Sequence, residues 1–125
     1  MTTTAPRKKI PLADQVQNAE RALASLDKRI AKLQAHIQVL TDRNTALETS
    51  IKKKQDRTDK IRHKKSTKTS TLANNDKYIA TRQQKVHRHK EKIDTYTTRR
   101  DKLQRLRDKK QQVLNSKRAK LSDGE

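Results

Sequence analysis

The chain has no cysteine, phenylalanine or tryptophan, one glycine and two prolines among its 125 residues. Without Cys there are no disulfide staples and no thiolate metal or nucleophile chemistry. With two Tyr as the only aromatics and 29% hydrophobic residues, large side chains cannot fill a globular core between layers. No apolar run approaches the ~20 residues of a membrane span. The start, MTTTAPRKKIP, lacks the apolar segment of a secretory signal, so a soluble, intracellular protein without integral membrane association is expected. Acidic residues are also scarce, 14 Asp and Glu against 33 Lys and Arg, a net +19. Such a charge calls for an anionic partner: nucleic acid, an acidic protein surface or an acidic membrane. The membrane is disfavoured, because the more basic half lacks a broad apolar face with bulky aromatics. Either disorder or an elongated helix remains.

What is present decides for the helix. In and around LASLDKRIAKLQAHIQVLTDRNTAL, the residues Leu12, Val16, Ala19, Leu23, Leu26, Ile30, Leu33, Ile37, Leu40, Asn44, Leu47 and Ile51 alternate steps of four and three. A 3.5-residue period keeps one narrow stripe facing a partner helix, the pattern of a left-handed coiled coil. Val16, Leu23, Ile30, Ile37, Asn44 and Ile51 take position a, and Leu26, Leu33, Leu40 and Leu47 take d. Largely β-branched a with Leu at d favours two parallel strands, and Asn44 would be satisfied by its twin in an in-register homodimer. The plainer alternative is a polar residue tolerated at a solvated gap. Position e carries Glu20, Asp27 and Glu48 and position g carries Arg29, Arg43 and Arg57, which places Arg43 against Glu48 of a parallel second copy. Two antiparallel copies would set acid on acid and base on base.

From Lys52 to Thr71 nine Lys/Arg face only Asp56 and Asp59, and the core slots read Lys54, Thr58, Lys65 and Lys68, with Ile61 alone apolar. The cluster Ser66 to Thr71, followed by Asn74, Asn75 and Asp76, has the character of a helix breaker and a new start. Beyond it Leu72, Ile79, Val86 and Ile93 continue the same a frame, joined by Tyr96, Leu103, Leu114 and Leu121, while Leu106 and Val113 fall one step off it. A loop of arbitrary length would keep that phase only by chance, so a continuous, locally frayed helix is favoured over a hairpin. Pro11 with Asp14 suits a helix start and Ser122, Asp123 and Gly124 a stop.

The expected fold is therefore all-α and elongated, with a parallel two-stranded coiled coil in the N-terminal half and a basic helical C-terminal half. Its parts are a disordered tail over 1–10, a dimerisation segment over 11–51, a weak or hinge segment over 52–76, a basic arm over 77–121 and a tail over 122–125. Residues 1–63 hold 14 Lys/Arg and 7 Asp/Glu, residues 64–125 hold 19 and 7, so charge rises where the seam weakens. Candidate contacts to DNA or RNA are Lys52, Lys53, Lys54, Lys64, Lys65, Arg82, Lys85, Arg88, Lys90, Arg99, Arg100, Lys102, Arg105, Arg107, Lys109, Lys110, Lys117, Arg118 and Lys120. Lys and Arg facing phosphates release counterions and need no special geometry. Such binding would be sequence-tolerant, with only Tyr78 and Tyr96 able to stack on a base. The order is the reverse of a basic leucine zipper, whose reading helix precedes its zipper. Here only Arg7, Lys8 and Lys9 do so, between Pro6 and Pro11.

The competing reading is a structural scaffold or spacer rod that mediates protein–protein contacts with an acidic partner surface, and the plainest one is a basic face that only keeps a rod soluble. Catalysis is not expected, since a helical rod offers no preorganised pocket. Nor is a metal or other cofactor: His87 and His89 point to opposite sides of a helix, and His36 and His63 are isolated. The clusters Pro6-Arg7-Lys8-Lys9 and Lys117-Arg118-Ala119-Lys120-Leu121 are compatible with nuclear import or nucleoid association, although such clusters arise easily in a basic chain.

Overall fold

The computed structural model describes residues 10–64 and 68–123, and among these all regular structure is helical: α1 spans Leu12–Arg62 and α2 spans Thr69–Asp123. The two long helices pack against each other. At the start of α1 the Pro11 carbonyl accepts the Gln15 N–H at 3.0 Å, and the Gln15 side chain donates to the Ile10 carbonyl at 2.7 Å. Asp14 lies in that first turn, where the positive end of the helix dipole favours it.

The helix does not run on to Leu121 as phase continuity suggested. α1 ends at Arg62, with Lys64 N–H bonded to the Ile61 carbonyl at 3.0 Å, and α2 begins where the Lys68 carbonyl accepts the N–H groups of Thr71 and Leu72. A seam built from Lys54 and Lys68 has no apolar face to continue with, whereas turning back lets Leu72 and its successors cover α1. The expectations for Lys65, Ser66, Gly124 and the tail before Ile10 fall outside the described residues.

The helix pair divides into two compact units. In one, residues 12–31 pack on 100–123, with Val16, Leu23 and Leu114 at the centre and Ala19 and Leu121 beside them. Glu20 meets Arg118 and Asp27 meets Arg107, so the helices run antiparallel. In the other, residues 32–62 pack on 69–99 around Ile51, Ile79 and Val86, flanked by Leu47 and Tyr78. Here Glu48 meets Lys90 and Arg62 meets Asp76, again antiparallel.

The seam expected to face a second copy is covered within the chain. Val16, Leu23, Leu26, Ile30, Leu40, Asn44 and Ile51 are buried, and Leu33, Ile37 and Leu47 are half-buried. α2 turns the predicted a frame inward through Leu72, Ile79, Val86, Ile93, Leu114 and Leu121. The off-frame Leu106 and Val113 stay 42% and 52% exposed, so the apolar face does not broaden there.

Polar residues inside the seam find local partners. Asn44, 6% exposed, donates from its amide to the Val86 carbonyl at 3.2 Å, and its oxygen lies 2.7 Å from His89 Nδ1. Its partner is thus a histidine of α2, not a second Asn, and the pairing requires His89 to donate from Nδ1. Thr58, 1% exposed, gives its hydroxyl to the Lys54 carbonyl one turn back at 2.7 Å, which removes the cost of an unpaired buried O–H.

Two outcomes are expected. Because the seam closes inside one chain, the thermal midpoint should not change with protein concentration, as a dimer's would. Asn44→Ala should cost about 1–3 kcal/mol in urea titration. Asn44→Leu combined with His89→Leu should restore most of that, since replacing both polar partners leaves nothing unsatisfied.

Candidate polyanion groove

In an antiparallel helix pair position e faces e and position g faces g, and in this hairpin the two edges of the seam differ in charge. Along the e edge acids and bases alternate between the helices. In the unit of residues 32–99, Glu48 faces Lys90 at 3.8 Å and Arg62 faces Asp76 at 3.3 Å. In the other unit, Glu20 faces Arg118 at 2.9 Å, and Asp27 is bonded to Arg107, which stands in the a frame of α2 beside that edge. The bond to Asp27, reinforced by its charge, holds the Arg107 guanidinium above its ordinary pKa. All three acids assigned to e in α1 are therefore engaged by bases of α2.

The g edge of residues 32–99 has no such match. Arg43 and Ser50 of α1 lie across from Lys85 and Lys92 of α2, and an open groove of about 590 Å³ forms between them. Arg43, Arg82, Lys85, Arg88 and Lys92 supply its charge, His89 and Ser50 add polar groups, Ala46 and Leu47 complete the lining, and no carboxylate lines it. None of the five cations has a carboxylate partner among the described residues. On α2 the spacing 82, 85, 88, 92 keeps the contributors along one side of the seam.

Two of the lining groups are held in place. The Arg82 guanidinium lies over the Tyr78 ring, Cζ 4.1 Å from the centroid, and its Nε is buried without a hydrogen-bond partner. His89 is fixed through Nδ1 by Asn44. Lys54 approaches the Tyr78 ring as well, Nζ at 5.2 Å, and Tyr96 stacks on His36 with centroids 5.7 Å apart. Both tyrosines expected to be available to bases are thus engaged within the chain.

The remaining candidates are dispersed. Lys52, Lys53, Lys64, Arg99, Lys102, Arg105, Lys109, Lys110 and Lys120 are exposed, Lys117 is half-buried, and Lys65 lies outside the described residues. Lys90, Arg107 and Arg118 are taken up by the e edge, and Arg100 bonds its neighbour Asp101. Arg43, Ser50, His89 and Lys92 were not among the sequence candidates. Arg43 did stand out at position g, but a parallel pair sets it against Glu48 of the second copy. His87 is exposed and pairs with Glu91 at 3.0 Å, on the side away from His89, as their spacing requires. Among the described residues no helix is long and apolar enough to cross a membrane.

Comparison with protein-family models, curated proteins and solved structures finds no match to this chain.

The base-on-base edge is testable. Lys92→Glu sets a carboxylate across from Arg43 and should raise stability in low salt by ~0.2–1 kcal/mol. The gain should shrink as sodium chloride is added, which thermal melts at two salt concentrations would show.

Proposed function

We propose that this chain is a non-enzymatic, sequence-tolerant binder of nucleic acid, DNA or RNA, acting through the basic surface of its helical hairpin. The supporting observation is the segregation of charge. The acids of α1 at position e are matched by bases of α2, while the groove cations and the outer lysines are left unneutralised. Cations of that kind gain most from a phosphate backbone, where each contact releases condensed counterions. The engagement of Tyr78 and Tyr96 within the chain supports contact with backbone rather than stacking on bases.

A coiled-coil homodimer with basic arms is a finer form of this proposal. A dimer through the same seam requires α2 to leave α1, because α2 covers those residues in the hairpin. Hairpin and dimer would both bring basic segments together and so coat or bridge a polyanion. The rival reading is a scaffold that contacts an acidic protein surface.

The test is fluorescence anisotropy of a labelled duplex, its scrambled counterpart and a labelled single strand, titrated with the full chain at two salt concentrations. Near-equal affinity for the two duplexes is expected, with a loss of ~10³ or more between 50 and 200 mM salt if six or more phosphates are contacted. Absence of binding near physiological salt would reject the nucleic-acid reading in favour of the scaffold.

A further inference from the structure

Five cations without carboxylate partners around one open groove repel one another, and this repulsion is relieved by an anion that reaches both walls at once. The exposed Lys109, Lys110 and Lys120 of α2 are not among the residues that line that groove. Resting on the reading of this surface as anion-binding, we propose that the groove of Arg43, Arg82, Lys85, Arg88 and Lys92 is a discrete site for linked phosphates. The ligand is either a free oligophosphate or two or three successive phosphates of a nucleic-acid strand.

Three features carry the assignment beyond general basicity. The α2 contributors run from Arg82 to Lys92, which at 1.5 Å per residue extends about 15 Å along the helix, too far for one orthophosphate to neutralise all of them. Three of the five cations are arginines, whose planar forks can each donate two hydrogen bonds to the oxygens of a phosphate. Arg82 rests against Tyr78 and His89 is tied to Asn44, so two of the polar groups lose little freedom when a ligand arrives. The Ser50 hydroxyl adds a neutral donor on the α1 wall, and Leu47 gives an apolar floor that no phosphate has to displace.

The phosphates would be held by charge-assisted hydrogen bonds without covalent chemistry. An acidic peptide fits less well, because its carboxylates are spaced by residues and carry fewer charges into a groove of about 590 Å³.

The test is isothermal titration calorimetry of the full chain with sodium tripolyphosphate, orthophosphate and a short single-stranded oligonucleotide at fixed ionic strength. Arg43→Gln with Arg88→Gln is compared with Lys28→Gln with Lys60→Gln, two exposed lysines outside the groove whose loss removes the same charge, and circular dichroism confirms helix content. One tripolyphosphate should bind per chain, more tightly than orthophosphate. The groove pair should weaken it about tenfold or more and the control pair less than about twofold. Equal losses in the two pairs, non-saturating binding, or equal competition by oligoglutamate would overturn the assignment. If the oligonucleotide competes with tripolyphosphate at the groove, the phosphates belong to a strand; if it binds elsewhere, the ligand is a free oligophosphate. Loss of tripolyphosphate binding with nucleic-acid binding intact rejects this site alone. Tripolyphosphate binding by a chain that binds no nucleic acid keeps the site and rejects the broader reading.

Discussion

A stripe of apolar side chains only one or two residues wide cannot be buried by the helix that carries it. That constraint governs this molecule. α1 presents such a stripe from Val16 to Ile51, and α2 covers it with Ile79, Val86 and Leu114. Covering by the same chain has an entropic advantage over covering by a second one, since a six-residue connection keeps the two faces at high effective concentration. Antiparallel packing follows from so short a connection, and the pairing of e with e and g with g follows from antiparallel packing. The matched edge, the cationic groove and the partner of Asn44 all descend from it.

Much of this was legible in the sequence and some of it was not. The seam was readable residue by residue because burial by another helix imposes a period on side-chain type whatever the source of that helix. The inward face of α2 was readable for the same reason, through Leu72, Ile79, Val86 and Ile93. Chain reversal was not, because Thr58 and Leu72 are two heptads apart whether the chain turns between them or continues. Phase is preserved in both cases and so discriminates neither. What argued for a break was the run from Ser66 to Thr71 followed by Asn74, Asn75 and Asp76, beside the polar core slots Lys54, Thr58, Lys65 and Lys68.

Asn44 shows the same limit at the level of one side chain. A polar a position signals that a specific partner exists, but not whether that partner is a twin amide or an imidazole 45 positions further along. His89 carried no signal of its own, being one half-buried d residue among several polar ones. The groove was missed for a related reason. Arg43 and Lys92 belong to one edge only when strand direction is known, and a parallel assumption sends Arg43 towards an acid. Charge excess was readable from composition, whereas its concentration in one concavity depends on how the helices are paired.

The two edges also give the unit of residues 32–99 a lateral polarity. One side of its seam has spent its charge on Glu48–Lys90 and Arg62–Asp76, and the other carries Arg43, Lys85 and Lys92 unspent. In the field of an anionic polymer such a body turns until the unspent side faces the polymer. Many copies along one strand would then share a common facing, with their carboxylate-bearing sides turned outward, and the outer surface of a coated polymer would be less cationic than the protein that coats it.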